Sequence, residues 1–345
     1  MKHFTSICLV SFLVLVPTGL MAKSPVKSGY HILQPVYLQG DAGWDDLTVD
    51  DEARRLYVSH GDKILVLDAD NFYTVGEIDT LDHCHGIAIA PEFHRGFVTS
   101  GGDGKVVVFD TRTLKRKAVL GTEIGVDGIL YDSMTKSIYA FNGESGHATV
   151  IDAESMQVVT TLALGGKPEG AAVDGKGRLY VDLEDKDQVV ELNTAELTIL
   201  RRLSTAPGKQ PAGLAMDAQH GRLFVACRNQ KLVVLDLENG KRIKTLPIGK
   251  GVDGAAFDSA TGNLFTSNGD GTLTVIHEDA PNKYHVVENA KTEQGARTMV
   301  FDYGTGRIIT DTAEILPSTP VPGESKQHRQ FVPGSFHLLV VGIRP

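Results

Sequence analysis

The sequence predicts an all-β fold, a seven-bladed β-propeller whose blades are four-stranded and antiparallel, and three observations predict it. One unit recurs seven times along the chain. Within each unit, short apolar runs alternate with turns rich in Gly, Asp and Asn, which is the pattern of antiparallel strands joined by hairpins. No segment carries a helical apolar period of useful length, so an α-solenoid is excluded. From Asp45 to Arg297 the chain advances 252 residues in six repeat steps, an average of 42, the length of a propeller blade.

Taken in order, Met1, Lys2 and His3 precede an apolar stretch from Ile7 to Val16, then Pro17, Gly19 and a small residue at Ala22. This reads as a secretory signal peptide over 1–22, leaving 23–345 as one propeller domain exported to the periplasm or secreted. The stretch is too short to span a bilayer, and no transmembrane segment follows. The second strand of each unit reads RLYVSH (55–60), GFVTS (96–100), IYAFN (138–142), LYVDL (179–183), LFVAC (223–227), LFTSN (264–268) and IITDT (308–312). The third strands are KILVLD, KVVVFD, ATVID, QVVELN, KLVVLD, TLTVIH and HLLVVG. The seventh unit has no fourth strand of its own, whereas YHILQPVYLQ (30–39) has the pattern of one, so the N-terminal segment is expected to close the ring. Closure removes the open edges of an unclosed array. Residues 317–334, rich in Pro and polar side chains, read as an irregular insertion in blade seven.

The segments RLYVSHG, GKVVVFD, GGKPEGAAVDGKG, GDGTLTVI and ARTMVFD resemble the YVTN-repeat, YncE-like seven-bladed propellers of exported bacterial proteins. The resemblance runs through nearly all of the mature chain. It implies an exported propeller and names no chemistry, because a blade repeat mostly describes strand packing.

Charge and cysteines narrow the function classes. The formal charge is −9, and removing Lys2 with the signal makes it −10, which disfavours a nucleic-acid partner. Cys8 lies in the signal, leaving Cys84 and Cys227 on opposite sides of the ring as two separate buried thiols. A Cys-x-x-Cys-His motif is lacking, so covalent c-type haem is excluded, and the lack of a Gly-x-Ser-x-Gly elbow leaves a serine hydrolase without support. GGDGK at 101–105 lacks the Ser or Thr of a phosphate loop and reads as a hairpin turn. A monomer is expected.

The repeat also locates a site. The position before the small residue that opens each inner strand is Asp45, His85, Asp127, Glu169, Ala212, Asp253 and Arg297, a ring of mostly ionisable side chains at the channel mouth. Carboxylates on both sides of His85 favour its charged form, and Arg297 is placed to pair with a neighbouring Asp. The second strands end on the same face, adding His60, Asn142 and Asn268 as candidate ligand-binding groups, with Glu184 and Arg228 one step further. Asp45, His60, His85 and Asp127 offer imidazole and carboxylate ligands for a divalent metal. Residues that satisfy one another and ordered water in a wet funnel would produce the same set. Two function classes follow: a binding or interaction scaffold for a small ligand, cation or partner protein, or a divalent-metal-dependent lyase or hydrolase using the mouth cluster.

Overall fold

A computed structural model describes residues 29–40, 43–79, 81–316 and 331–344. The signal read over 1–22 and most of the blade-seven insertion lie outside the described residues. Seven four-stranded antiparallel sheets form the ring. Blade one spans 44–78, two 84–121, three 126–163, four 168–204, five 211–247 and six 252–291. Blade seven takes its inner strand from Met299–Asp302, its second from Arg307–Thr312 and its third from His337–Gly342. Its outer strand is His31–Tyr37, antiparallel to His337–Gly342, as the N-terminal pattern predicts. The only described helical turns are Pro91–Phe93 and Glu184–Lys186.

Burial explains why the second and third strands are apolar without interruption. Each blade is sandwiched between two others, so both faces of its sheet are covered and alternate side chains enter different cores. Leu56, Val58 and Leu67 pack with Ile309, Leu338 and Val340 of blade seven. Tyr57, Ile64 and Val66, on the other face of the same strands, pack with Ile87, Val98 and Phe109 of blade two. The pattern repeats around the ring, giving seven inter-blade cores in place of one central core. Full burial of side chains such as Phe97 and Phe109 stabilises by about 1.5–3 kcal/mol each. The outer strands lie at the rim and most of their residues are exposed.

The insertion in blade seven is less irregular at its end than its composition suggests. Ile315 and Phe331 form an antiparallel bridge, and Val332 N–H donates to Glu314 O. Phe331 then meets Trp44 edge-on, with ring centroids 4.7 Å apart.

Candidate functional site

The mouth is built by a local break in strand pairing. In blades one to six, the inner strand skips register against the second strand at its first residues, between Trp44 and Leu47, Cys84 and Ile87, Val126 and Ile129, Pro168 and Ala171, Pro211 and Gly213, and Val252 and Gly254. Each skip contains the ring residue. A bulge bends the strand and re-aims a side chain, here toward the axis. The next residue is glycine in blades two to six, because a Cβ there would strike the neighbouring inner strand: at Gly86 it would lie 2.9 Å from Asp127 O and Ile129 N. Blades one and seven carry Asp46 and Thr298 at this level instead. All seven ring residues line one cavity of about 920 Å³.

Its two walls differ in charge. On the side of blades one to three, His85 Nδ1 lies 2.6 Å from Asp45 Oδ2 and 3.6 Å from Asp127 Oδ1. The Asp45 hydrogen bond raises the His85 pKa against the opposing effect of burial, and Asp127 adds to the rise. Burial, then the Asp45 charge, raises Asp127. The same two causes push Asp46 up to about 7. The cavity's three Lys and Arg side chains, Lys167, Arg228 and Arg297, all belong to blades four, five and seven. There they are engaged: Lys167 Nζ pairs with Glu169 and, at 2.6 Å, with Glu184 Oε2. Arg228 bridges Glu184 Oε1 at 2.6 Å and Asp253 Oδ1 at 3.0 Å. Arg297 Nε completes the chain at 3.1 Å from Asp253 Oδ2. Burial and hydrogen bonding to Glu184 push Glu169 up to about 7.

Behind the ring, penultimate residues of the second strands hold the mouth in shape. Ser59 Oγ accepts from Asp46 N–H, Thr99 Oγ1 donates to Asp127 O, and Ser267 Oγ donates to Arg297 O. Asp182 and Asp311 stand at the same level, and full burial raises both well above the usual carboxylate range.

Three side chains predicted for the mouth lie elsewhere. His60 is stacked on Phe336, centroids 4.7 Å apart, beneath Gly40, where a Cβ would come within 2.5 Å of its Nε2. Burial lowers its pKa, and it does not join Asp45, His85 and Asp127. Asn142 is buried and bonds Ala140 O, His147 O and Thr149 Oγ1. Asn268 bonds Thr266 O, Thr272 and Thr274 Oγ1 in its own blade. The cause is shared: side chains of a second strand point at adjacent blades, and that strand lies one spacing of about 4.8 Å further from the axis. Lys167 lies two residues before Glu169, outside the positions that repeat phase picks out. Glu184 and Arg228 had a readable signal, since they stand where other blades have Gly61, Gly101, Gly143, Gly269 or Ala313. Cys84 and Cys227 are free and buried, and burial pushes their thiols up to about 11 and about 12.

No family model matches the chain. It is 26% identical over 147 residues to the uncharacterized protein YncE of Salmonella typhi and 25% identical over 147 residues to that of Salmonella typhimurium. In both comparisons the match covers 41% of this chain and 41% of the relative's length. A chain of the solved mitotic checkpoint complex superposes with a TM-score of 0.73 at 12% identity, over 88% of this chain and 95% of that one, a likeness of fold alone. No described helix is long and apolar enough to cross a membrane. Seven sheets in a closed ring, together with the sequence match, make the chain a YncE-like β-propeller.

Proposed function

We propose that the protein is an exported binding propeller whose channel mouth holds a divalent cation on Asp45, His85 and Asp127, leaving the rest of the cavity for a small polar ligand. One observation carries the reading: these three side chains offer ligand atoms that all lie within 4.8 Å of one another, on the wall of the cavity that has no Lys or Arg of its own. One imidazole and two carboxylates suit a borderline divalent ion such as Zn²⁺, with further positions open to the ligand. His60 is outside this set. The opposite wall, where cations already bridge Glu169, Glu184 and Asp253, is suited to fixing a ligand's polar groups.

The test is metal analysis by mass spectrometry on protein from its native compartment, with Zn²⁺ titration of the mature chain against a His85→Ala, Asp127→Ala variant. The variant should lose one equivalent and the rise in melting temperature that binding to the folded state brings. Equal stoichiometry and affinity in both proteins would defeat the reading.

A metal-assisted lyase or hydrolase is the second reading, favoured by Glu169. Its carboxyl is pushed up to about 7 while neighbouring Glu184 is lowered, burial opposing and hydrogen bonds with Glu169 and Lys167 prevailing. Paired carboxyls driven apart suit proton transfer. A ligand found by thermal shift would then be converted by the native chain and left intact by Glu169→Gln; recovery of unchanged ligand from the native chain leaves binding alone.

A further inference from the structure

The face opposite the mouth carries a second cluster of ligating side chains, between blades five and six. In blades three, six and seven the Asp that ends the inner strand turns the chain in one way. Its second oxygen accepts from a threonine hydroxyl three residues on, in the pairs Asp132 and Thr135 at 2.8 Å, Asp258 and Thr261 at 2.5 Å, and Asp302 and Thr305 at 2.6 Å. Blade five keeps the turn and changes that residue. Asp217 Oδ1 accepts from the N–H groups of Gln219 and His220, and Oδ2 lies 2.6 Å from His220 Nδ1. An imidazole thus replaces a hydroxyl in a turn that needs only a donor.

Blade six supplies the third group by departing from the repeat. Its third strand, Thr272–Ala280, has nine residues where the other third strands have six. The extension carries Glu278, paired across the hairpin with Tyr284, to the blade-five turn. Asp217, His220 and Glu278 offer ligand atoms within 4.8 Å of one another.

A second, independent observation points to something missing. Tyr284 is only 4% exposed, and neither its hydroxyl nor Glu278 Oε1, both shut off from solvent, has a partner in hydrogen-bonding geometry. Tyr284 stands across the hairpin from Glu278, and burial, the Glu278 charge and hydrogen bonding to Glu278 raise its pKa, so the phenol faces a carboxylate of the cluster without closing a well-formed hydrogen bond to it. Nearby Arg222 is engaged elsewhere, with Asn282 Oδ1 at 2.8 Å and Asp236 Oδ1 at 3.4 Å. Buried polar atoms left unpartnered carry an uncompensated desolvation penalty, which a cation beside the carboxylates, with a water bridging to the phenol, would offset.

We infer that Asp217, His220 and Glu278 form a second divalent-cation site of the Zn²⁺ or Co²⁺ class, independent of the channel mouth. Each contributes one oxygen or nitrogen, and the ion takes the place of the proton between Asp217 Oδ2 and His220 Nδ1, the ligating neutral imidazole carrying its proton on Nε2. Two carboxylates and one imidazole leave a position for water.

The experiment uses the chelator-treated mature chain carrying His85→Gln, which removes the imidazole of the mouth, titrated with ZnCl2 by calorimetry and with CoCl2 by visible absorption. One equivalent should bind, with a rise in melting temperature. Adding His220→Gln or Glu278→Gln should abolish that equivalent or weaken it by more than the roughly 10- to 100-fold that loss of an outer-sphere partner costs. His220 is half-exposed, so the metal-free melts of the His85→Gln chains with and without His220→Gln should coincide, which separates lost binding from lost folding. The site is refuted if the His85→Gln chain binds no Zn²⁺, or if it binds Zn²⁺ with the same affinity after both further substitutions. Metal at the mouth is judged by other variants, so the two assignments can fail separately.

Discussion

Arg54 Nη1 and Nη2 lie 2.8 and 2.9 Å from Asp302 Oδ1 and Oδ2, joining the first turn of blade one to the matching turn of blade seven. The residues are 248 apart in sequence, and the pair fastens the ring where its ends meet. Burial disfavours the Asp302 carboxylate, but hydrogen bonds from Arg54 and Thr305 outweigh it, so its pKa is lowered. A depressed carboxyl contributes stability that is present above its unfolded pKa of about 3.9 and lost as pH falls through the folded value. Arg54→Ala should cost about 1–3 kcal/mol at neutral pH, because Asp302 is buried and loses its charged donors while Arg54 itself is partly exposed. In urea melts the gap from the native chain should narrow as pH drops below 4. A constant gap from pH 7 to pH 3 would assign the loss to packing.

The outer strand of blade seven is the other fastening. A chain beginning at Gly43 lacks His31–Tyr37, exposing the edge of His337–Gly342 and uncovering apolar surface at Leu338 and Val340. It should melt well below the mature protein and self-associate, because an unpaired strand edge templates pairing with other chains. Melting curves and sedimentation velocity check this, and an unchanged midpoint with a monomeric profile would show that the strand contributes little.

Gly96 faces Phe109 across the ladder of blade two, whereas the same pair is Leu56 and Leu67 in blade one and Leu179 and Leu192 in blade four. A Cβ on Gly96 would lie 2.0 Å from Phe109 Cζ, so the ring fills the space that the missing side chain leaves. Gly96→Leu restores the common residue yet should destabilise by about 1–3 kcal/mol through overpacking. The double variant Gly96→Leu, Phe109→Leu should recover most of the loss. Simple additivity of the two single effects in chemical denaturation would rule out this compensation.

The His85 imidazolium gains from Asp45, so its pKa is raised from the ordinary 6.5. Stability from such a group is fully present below the unfolded pKa and lost as pH rises through the folded one. Metal-free His85→Gln should therefore fall furthest below the native chain near pH 5.5 and approach it above the raised pKa. Zn²⁺ at the mouth competes with that proton, so its affinity should climb with pH over the same interval. Thermal melts and calorimetry at a series of pH values, with the imidazole signals followed by NMR, read both trends.

The repeat determined most of the architecture because a blade is a local object: turn residues and apolar runs within about 42 residues set the four strands, and both-face burial explains runs such as KVVVFD. Repeat phase likewise located the ring from Asp45 to Arg297, since a bulge at the same point of blades one to six places one residue of each at the axis and Arg297 stands at the matching position of blade seven. The direction of side chains on the second strands was not local. His60, Asn142 and Asn268 share a face of the disc with the mouth, but the two amides bond within their own blades, and only the packing of Phe336 over His60 decides where that imidazole rests. Partner choice was equally hidden, because Lys167, Glu184, Arg228 and Asp253 come from three blades and meet through the rotation between them. The same holds for Glu278 beside Asp217, which depends on how far one hairpin extends past its repeat. Strand order follows from the chain itself, whereas electrostatic pairing depends on distances between blades, which close ring packing fixes.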